Sequence, residues 1–395
     1  MKAMSIAALA LACMAVLTGP GSPAAGEARP AAGPEFKMNP KLEGLPDNTW
    51  VKMDPKFVYH PDQLAALEKA GRKPDGFCHA KAEASLCYDQ SANLTIYFGG
   101  CTSGYGNNLW VYDCSNDVWT QIHPDIFKLR DGGVWRYRED TKAVPPGCCY
   151  YGMCYDSDRK VSALCRANSG ATAWAREEPP NNLAWLYDAA AKKWIFTEHD
   201  GTAPGPGDLY LTGSRWAYDP ERKECLLAGG GALWAYKTAE NTWRKVKVQG
   251  VSAEPGNGSS WAYMSKEKKF LLFKCRKNTD AGNDTTWLYD SKEEKWENVT
   301  PKDGPAKRGS AAMCYDSLNN VAVMLGGWEE KPSVKFNDGT WVFDPTKKTW
   351  TQPKPDPCPP ASGSCYQMSY DTVNNVAVYV KGGVTWVYRY KSPKP

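Results

Sequence analysis

The sequence is poor in the residues that most metal sites and many active sites are built from. Four histidines occur in 395 residues, His60, His79, His123 and His199, and no two of them have a convincing ligand spacing. Cys-x-x-Cys and Cys-x-x-Cys-His are missing, so structural zinc and covalently held haem lack support. A serine nucleophile elbow, a phosphate-binding glycine loop and a His-Glu zinc motif are missing as well. Neither sign of charge dominates, with 48 Lys+Arg against 44 Asp+Glu, which leaves no electrostatic footprint for nucleic acid or an anionic membrane. No uninterrupted apolar run reaches the roughly 18 residues that a spanning helix requires. What the chain has in excess is tryptophan, 17, and cysteine, 14.

The N-terminus reads as an address. Lys2 is followed by an apolar run of 14 residues, Met4 to Leu17, and then by small residues and prolines. This is the pattern of a secretory signal peptide, expected over residues 1–25 with cleavage near 24–28. Leu11-Ala12-Cys13 loosely resembles a lipoprotein signal, but Cys13 lies inside the apolar run rather than at its end. The mature protein is expected to be exported, periplasmic or extracellular, with residues 26–47 a disordered linker. Export would permit disulfides. Without Cys13 the count is 13, an odd number, so at least one thiol stays free or pairs outside the chain.

The body of the chain is a repeat. Trp-x-Tyr or Trp-x-Phe, with a second Trp seven residues after the Tyr or Phe, occurs as Trp110, Tyr112 and Trp119, and as Trp185, Tyr187 and Trp194. It returns as Trp234, Tyr236 and Trp243, as Trp287, Tyr289 and Trp296, and as Trp341, Phe343 and Trp350. A sixth copy, Trp386 and Tyr388, meets the C-terminus before its second Trp. Before each copy stands a tyrosine, followed by a β-rich run and, in four copies, a glycine pair: Gly99-Gly100, Gly229-Gly230, Gly326-Gly327 and Gly382-Gly383. Arg166-Ala167 and Lys274-Cys275 replace the pair in the other two. The runs 94–98, 161–165, 225–228, 270–273, 321–325 and 376–380 are strands by composition, bounded by Asp, Asn and Gly. Each unit therefore holds four short strands: a ending at the tyrosine, b ending at the glycines, c carrying Trp-x-Tyr, and d carrying the last Trp.

Six copies in one frame resemble the kelch repeat, whose hallmark is Gly-Gly followed by spaced Tyr and Trp. The resemblance covers about residues 48–390 and implies an all-β, six-bladed β-propeller. Approximate blades are 78–122, 148–197, 211–246, 257–299, 308–353 and 363–390 plus 48–52. A single four-stranded sheet cannot bury both faces, whereas radial stacking buries them against neighbours. Asn48-Thr49-Trp50-Val51 looks like an isolated strand d, so the N-terminal strand is expected to complete the last blade and close the ring.

Twelve of the tryptophans sit on the template, on strand c (110, 185, 234, 287, 341, 386) and strand d (50, 119, 194, 243, 296, 350), and are expected in the core between blades. Trp216 and Trp261, each two residues before a strand-a tyrosine, are expected in the inner walls. Trp135, Trp174 and Trp328 are off template, in d–a or b–c connections that emerge on one face of a four-stranded meander. Two d–a intervals are long, 38 residues from Trp50 to Tyr88 and 36 from Trp119 to Tyr155. The first holds a short helix near 61–70. The second holds Trp135, Arg136, Arg138 and Glu139, and the blade 2 b–c connection holds Trp174, Arg176 and Glu177. Loops elaborated on a rigid scaffold tend to carry function, so Trp135, Arg136, Arg138, Trp174, Arg176 and Trp328 are the candidate ligand-binding residues. Packing of a lid over the channel is the alternative reading of the same cluster.

The cysteines divide by position. Cys87, Cys154 and Cys314 share a frame position with Ala217, Ala262 and Ser369, a small-side-chain slot where buried thiols are expected. Cys358 with Cys365, and Cys101 with Cys114, are candidate loop disulfides.

Kelch-like propellers include galactose oxidase, a copper-radical enzyme that uses two Tyr, two His and a Cys joined to one Tyr. The resemblance would extend to that activity only with histidines that blades 4 to 6 lack. A six-bladed periplasmic kelch enzyme that mutarotates sialic acid offers a second precedent. In that case Arg136, Arg138 or Arg176 would hold a carboxylate, and Glu139 or Glu177 would carry the proton. The expectation favoured here is a secreted, non-catalytic, monomeric binding module. Its ligand would be a carbohydrate or a protein, with no cofactor, metal, nucleic acid or membrane span.

Overall fold

The computed structural model describes residues 35–74, 84–100, 108–124, 152–165, 184–197, 202, 215–229, 231–256, 258–274, 285–329, 335–336, 339–360 and 367–392. The chain enters through a one-turn helix α1 (Pro40–Glu43), strands β1 (Thr49–Lys52) and β2 (Lys56–Val58), and helix α2 (Pro61–Lys69). Blade 1 follows as β3 (Ser85–Asp89), β4 (Leu94–Phe98), β5 (Leu109–Asp113) and β6 (Val118–His123). Blade 2 is β7 (Met153–Asp156), β8 (Val161–Cys165), β9 (Ala184–Asp188) and β10 (Lys193–Phe196). Blade 3 is β11 (Arg215–Asp219), β12 (Glu224–Gly229), β13 (Ala232–Lys237) and β14 (Thr242–Lys245). Blade 4 is β15 (Ser260–Met264), β16 (Lys269–Phe273), β17 (Thr286–Asp290) and β18 (Lys295–Asn298). Blade 5 is β19 (Ala312–Asp316) and β20 (Val321–Leu325), then the two-stranded hairpin β21 (Trp328–Glu329) and β22 (Lys335–Phe336), then β23 (Thr340–Asp344) and β24 (Thr349–Thr351). Blade 6 has β25 (Gln367–Asp371), β26 (Val376–Lys381) and β27 (Val384–Arg389).

The fourth strand of blade 6 is β1, antiparallel to β27, with Trp50 opposite Tyr388 and Val51 opposite Val387. The inner strands β3, β7, β11, β15, β19 and β25 each touch the next, and β25 touches β3. The six sheets therefore form a closed six-bladed propeller, sealed by the N-terminal strand.

One local rule builds the face that carries the a–b and c–d turns. Each blade turns from a to b through four residues, and blades 1 to 5 turn from c to d through four as well, eleven turns in all; in blade 6 strands c and d are the two ends of the chain. The fourth has positive φ in all eleven turns: Asn93, Asp117, Lys160, Lys192, Lys223, Asn241, Lys268, Glu294, Asn320, Lys348 and Asn375; Asn48, just before β1 where the chain ends meet, has it too. Where the first strand ends in Asp, as all do but β13, β15 and β27, the carboxylate can accept backbone N–H groups of the turn, as Asp89 does from Ser91 and Ala92; this fixes the bend. A tyrosine one residue earlier donates to the positive-φ residue where that residue is Asn or Asp. Examples are Tyr88 to Asn93 at 2.7 Å, Tyr112 to Asp117 at 2.8 Å and Tyr388 to Asn48 at 2.7 Å.

The same turn explains the seven-residue spacing between Tyr and Trp. It sets the two rings directly opposite on adjacent strands, as in Tyr112 with Trp119 and Tyr236 with Trp243. All six such pairs are in contact, with centroids 4.7–5.1 Å apart from Tyr236–Trp243 to Phe343–Trp350. Rings at this distance add about 0.5–1.5 kcal/mol beyond their buried area. The strand-d tryptophans are all buried. Three of them also reach the preceding blade through the indole N–H: Trp50 to Thr340 at 2.8 Å, Trp119 to Thr385 at 2.9 Å and Trp350 to Thr286 at 2.9 Å. The strand-c tryptophans differ from expectation. Trp110, Trp185 and Trp234 are buried, while Trp287, Trp341 and Trp386 are only half-buried. Trp110 owes part of its cover to Phe57 and Tyr59, whose rings meet it edge-on at 5.9 and 5.3 Å.

The N-terminal approach corrects the linker expected over 26–47, for the part from residue 35 on. Leu42 and Leu45 are buried in the same cluster as Trp110 and Trp119. The Asn39 backbone N–H donates to Asn374 at 2.7 Å, and its side chain donates to the Cys114 carbonyl at 2.7 Å. The buried guanidinium of Arg389 donates to the carbonyls of Leu42, Leu45, Asn374 and Asn375. The segment is thus pinned to blades 1 and 6 by buried polar groups that only this packing satisfies. Beyond it, β2 adds a fifth, parallel strand to the outer edge of blade 1, a strand that reading the 38-residue interval as a loop did not anticipate. Helix α2 falls where a short helix was expected.

Candidate functional site

Strand ends divide the ring into two faces. The short turns crowd one. The b–c and d–a connections share the other, as backbone bonds between them show: Gly309 and Trp328 exchange N–H and C=O at 2.8 and 3.0 Å, and Gly231 donates to Pro255 at 2.8 Å. Gly327, at φ +97°, lets these two connections approach, since a Cβ there would lie 3.0 Å from the Gly309 carbonyl oxygen.

Among the candidate ligand-binding residues, Trp135, Arg136, Arg138, Trp174 and Arg176 lie outside the described residues. Trp328 lies on this loop face, as expected. It stands on β21, half-buried, and its indole N–H is enclosed without a hydrogen-bond partner among the described residues. Of the candidate disulfides, Cys101 and Cys365 lie outside the described residues. Cys114 is a buried thiol, and burial pushes it well above the ordinary thiol range. Cys358 approaches the Thr340 hydroxyl at 3.7 Å.

Reading the sequence by frame missed two buried cations at the loop-side ends of strands. Arg215 begins the inner strand of blade 3. Its guanidinium crosses to the Ser259 carbonyl at the entry to blade 4 and to the Ala311 carbonyl at the entry to blade 5, each at 3.2 Å. Burial pulls its pKa down to about 9. The frame held a signal for it, because Arg215 occupies a position where the other blades carry Ser85, Gly152, Ser260, Ala312 and Gln367. Arg308 donates to the Ala306 and Gly326 carbonyls at 3.0 and 3.1 Å and lies 5.8 Å from the Trp341 ring. Both arginines brace the connections from which loop-face side chains project.

The ring encloses an axial cavity of about 250 Å³, lined by inner-strand residues that include Met153, Met313, Met368, Trp216 and Trp261. Tyrosines of strand a and residues of the a–b turns line it at the short-turn end, among them Tyr155, Tyr315, Gln90 and Thr372. Trp216 and Trp261 are buried, as expected of wall residues. Cys87, Cys154 and Cys314 also line it and are buried thiols. Desolvation pushes Cys87 up to about 12 and raises the other two well above the ordinary range, which makes them poor nucleophiles at neutral pH. No group of three or more His, Cys, Asp or Glu side chains among the described residues is placed to hold a metal ion.

Six four-stranded blades, each with the tyrosine-turn and a Trp-x-Tyr or Trp-x-Phe frame, make a six-bladed β-propeller of the kelch type. The model of the KLHDC2/KLHL20/DRC7 kelch-repeats domain matches residues 221–383, from the a–b turn of blade 3 into blade 6. No protein of curated function matches the chain. The kelch propeller is a general protein-interaction module. No helix among the described residues is long and apolar enough to cross a membrane.

Proposed function

We propose that the mature protein is an exported binding propeller that grips a protein ligand on the face of the b–c and d–a connections. The observation that carries this reading is the contrast between the two faces. One face is eleven copies of a single four-residue turn plus the meeting of the chain ends, uniform around the ring and poor in material for specificity. The other collects the b–c and d–a connections, whose length and composition vary, and holds Trp328; Trp135, Arg136, Arg138, Trp174 and Arg176 belong to such connections by their place in the sequence. Tryptophan and arginine are the side chains most enriched where binding energy concentrates. The buried braces at Arg215 and Arg308 support that face.

The test begins with the purified mature protein, cross-linked to its neighbours in the source cell's exported fraction, with a glycan array in parallel. Trp135→Ala and Trp174→Ala should each weaken capture of the identified partner at least tenfold without changing the melting temperature. Exchanges on the short-turn face, such as Lys292→Ala, should leave it unchanged. Binding that ignores the loop-face variants refutes this site, and saturable glycan binding lost in the same variants makes the ligand a carbohydrate.

A further inference from the structure

Neighbouring blades meet through a repeated side-chain slot. The residue before each strand-a tyrosine faces the second residue of strand b in the following blade. At the seam between blades 6 and 1 the slot holds two hydroxyls, Ser369 and Thr95, 3.4 Å apart. At the seam between blades 1 and 2 it holds Cys87 and Ser162, 3.3 Å apart. Counted in the same frame, the seam between blades 2 and 3 holds Cys154 and Cys225. These two thiols belong to one core cluster, and both are buried. The remaining slots hold Ala217 with Phe270, Ala262 with Ala322, and Cys314 with Ala377. Among these slots, this seam alone sets two thiols against each other.

Access to the pair runs along the axis. Cys154 lines the axial cavity, which a–b turn residues line at one end, while Cys225 lies behind it on β12 with no exposed surface. A reagent arriving by the cavity therefore meets Cys154 first and Cys225 second. That order suits a two-step thiol–disulfide exchange.

We propose that Cys154 and Cys225 are a redox pair, oxidised by a small-molecule disulfide to a covalent link that locks blade 2 to blade 3. In the first step Cys154 attacks one sulfur of the oxidant through the small thiolate fraction that its burial allows, so the exchange is slow at neutral pH and quickens as pH rises. A mixed disulfide forms, the oxidant's S–S bond breaks, and one small thiol leaves with a proton. In the second step the Cys225 thiolate attacks Cys154 Sγ and expels the second small thiol. The protein loses two electrons and two protons, and the oxidant gains them. The link closes a loop that contains the whole blade 2 b–c connection, including Trp174 and Arg176, so it fastens the scaffold beneath that connection.

The folded protein is incubated with oxidised glutathione, its remaining thiols are alkylated under denaturing conditions, and the digest is read by mass spectrometry. The expected product is one peptide pair joining Cys154 to Cys225, about 2 Da lighter than the sum of the two thiol peptides. The melting temperature of the linked protein should rise by about 3–6 °C and fall back on addition of dithiothreitol. Cys225→Ser reproduces the Cys–Ser slot already present between blades 1 and 2, so it should fold as the parent does, with the oxidative rise in melting temperature abolished. Full alkylation of both cysteines, Cys154 held as a glutathione adduct, or Cys154 joined to another cysteine overturns the pair. A link formed without a rise in melting temperature overturns the lock.

Discussion

Lys192→Asn should stabilise the propeller, because it supplies an acceptor that the fold calls for and the sequence withholds. In five turns a tyrosine donates to the Asn or Asp five positions on, from Tyr88, Tyr112, Tyr236, Tyr315 and Tyr370, and Tyr388 donates to Asn48 across the chain ends, at 2.6–2.9 Å between Tyr370–Asn375 and Tyr236–Asn241. Tyr187 occupies the same position in blade 2, but Lys192 stands where the acceptor should be. The Tyr187 hydroxyl is buried with no hydrogen-bond partner among the described residues. Tyr263, followed by Lys268, shows the same defect. An enclosed, unsatisfied hydroxyl costs about 1–3 kcal/mol. Lys192 also sits at φ 53°, a conformation that Asn tolerates better than Lys. Together these give an expected gain of about 1–2 kcal/mol. At about 2.1 cal/mol/K of unfolding entropy per residue, a ring of this size should melt about 1–3 °C higher. Lys192→Gly is the control, since it relieves the backbone without supplying an acceptor and should recover only part of the gain. Tyr187→Phe should be neutral or stabilising in the parent and destabilising in Lys192→Asn. The reasoning fails if Asn is no better than Gly at position 192, or if Tyr187→Phe costs the same in both backgrounds, as measured by chemical denaturation.

Other expectations follow from the seams. Thr385→Val and Thr340→Val each strand a buried indole N–H, of Trp119 or Trp50, and should each cost about 1–3 kcal/mol; a loss below a few tenths would show that these bonds contribute nothing net. Deleting residues 48–52 removes β1 and leaves β27 as an open edge. A sharp loss of melting temperature is expected, and an unchanged one would contradict closure by this strand. Burial raises the folded-state pKa of Asp371, so its ionisation opposes folding. Its contribution is most favourable below the ordinary carboxylate range and is lost as pH rises through the raised folded value. Stability of the parent relative to Asp371→Asn should therefore increase as pH falls from 7 towards 4, and a difference that is flat or falls in that range refutes it.

The repeat was legible because its parts are local. A Tyr-Asp turn, a β run and Trp-x-Tyr seven residues from Trp each state a geometry that one hairpin can satisfy alone, and six copies in register leave a ring as the way to bury both faces. Trp50 was recognisable as a stray strand d for the same reason. The stretch 36–47 was misread because nothing local marks it as ordered. Asn39 and Leu42 acquire meaning only from Asn374, Cys114 and Arg389, residues far along the chain. Arg215 escaped notice because its role is to reach two carbonyls on other blades. The candidate binding residues rest on loop length and composition, which show where a scaffold has been elaborated and not what the elaboration holds.

The sequence by itself determined the four strands of each blade, the eleven short turns, the aromatic cross-strand pairs and the closing strand, since each depends on residues within one hairpin or one repeated frame. Tertiary structure alone decided which side chains meet across seams. It paired Trp119 with Thr385, placed Cys154 and Cys225 in one core cluster, left Tyr187 without an acceptor among the described residues, and drew the N-terminal segment onto blades 1 and 6. These outcomes depend on how one blade's frame falls against the next, where a single exchange of Thr for Leu or Asn for Lys decides whether a buried polar group is satisfied.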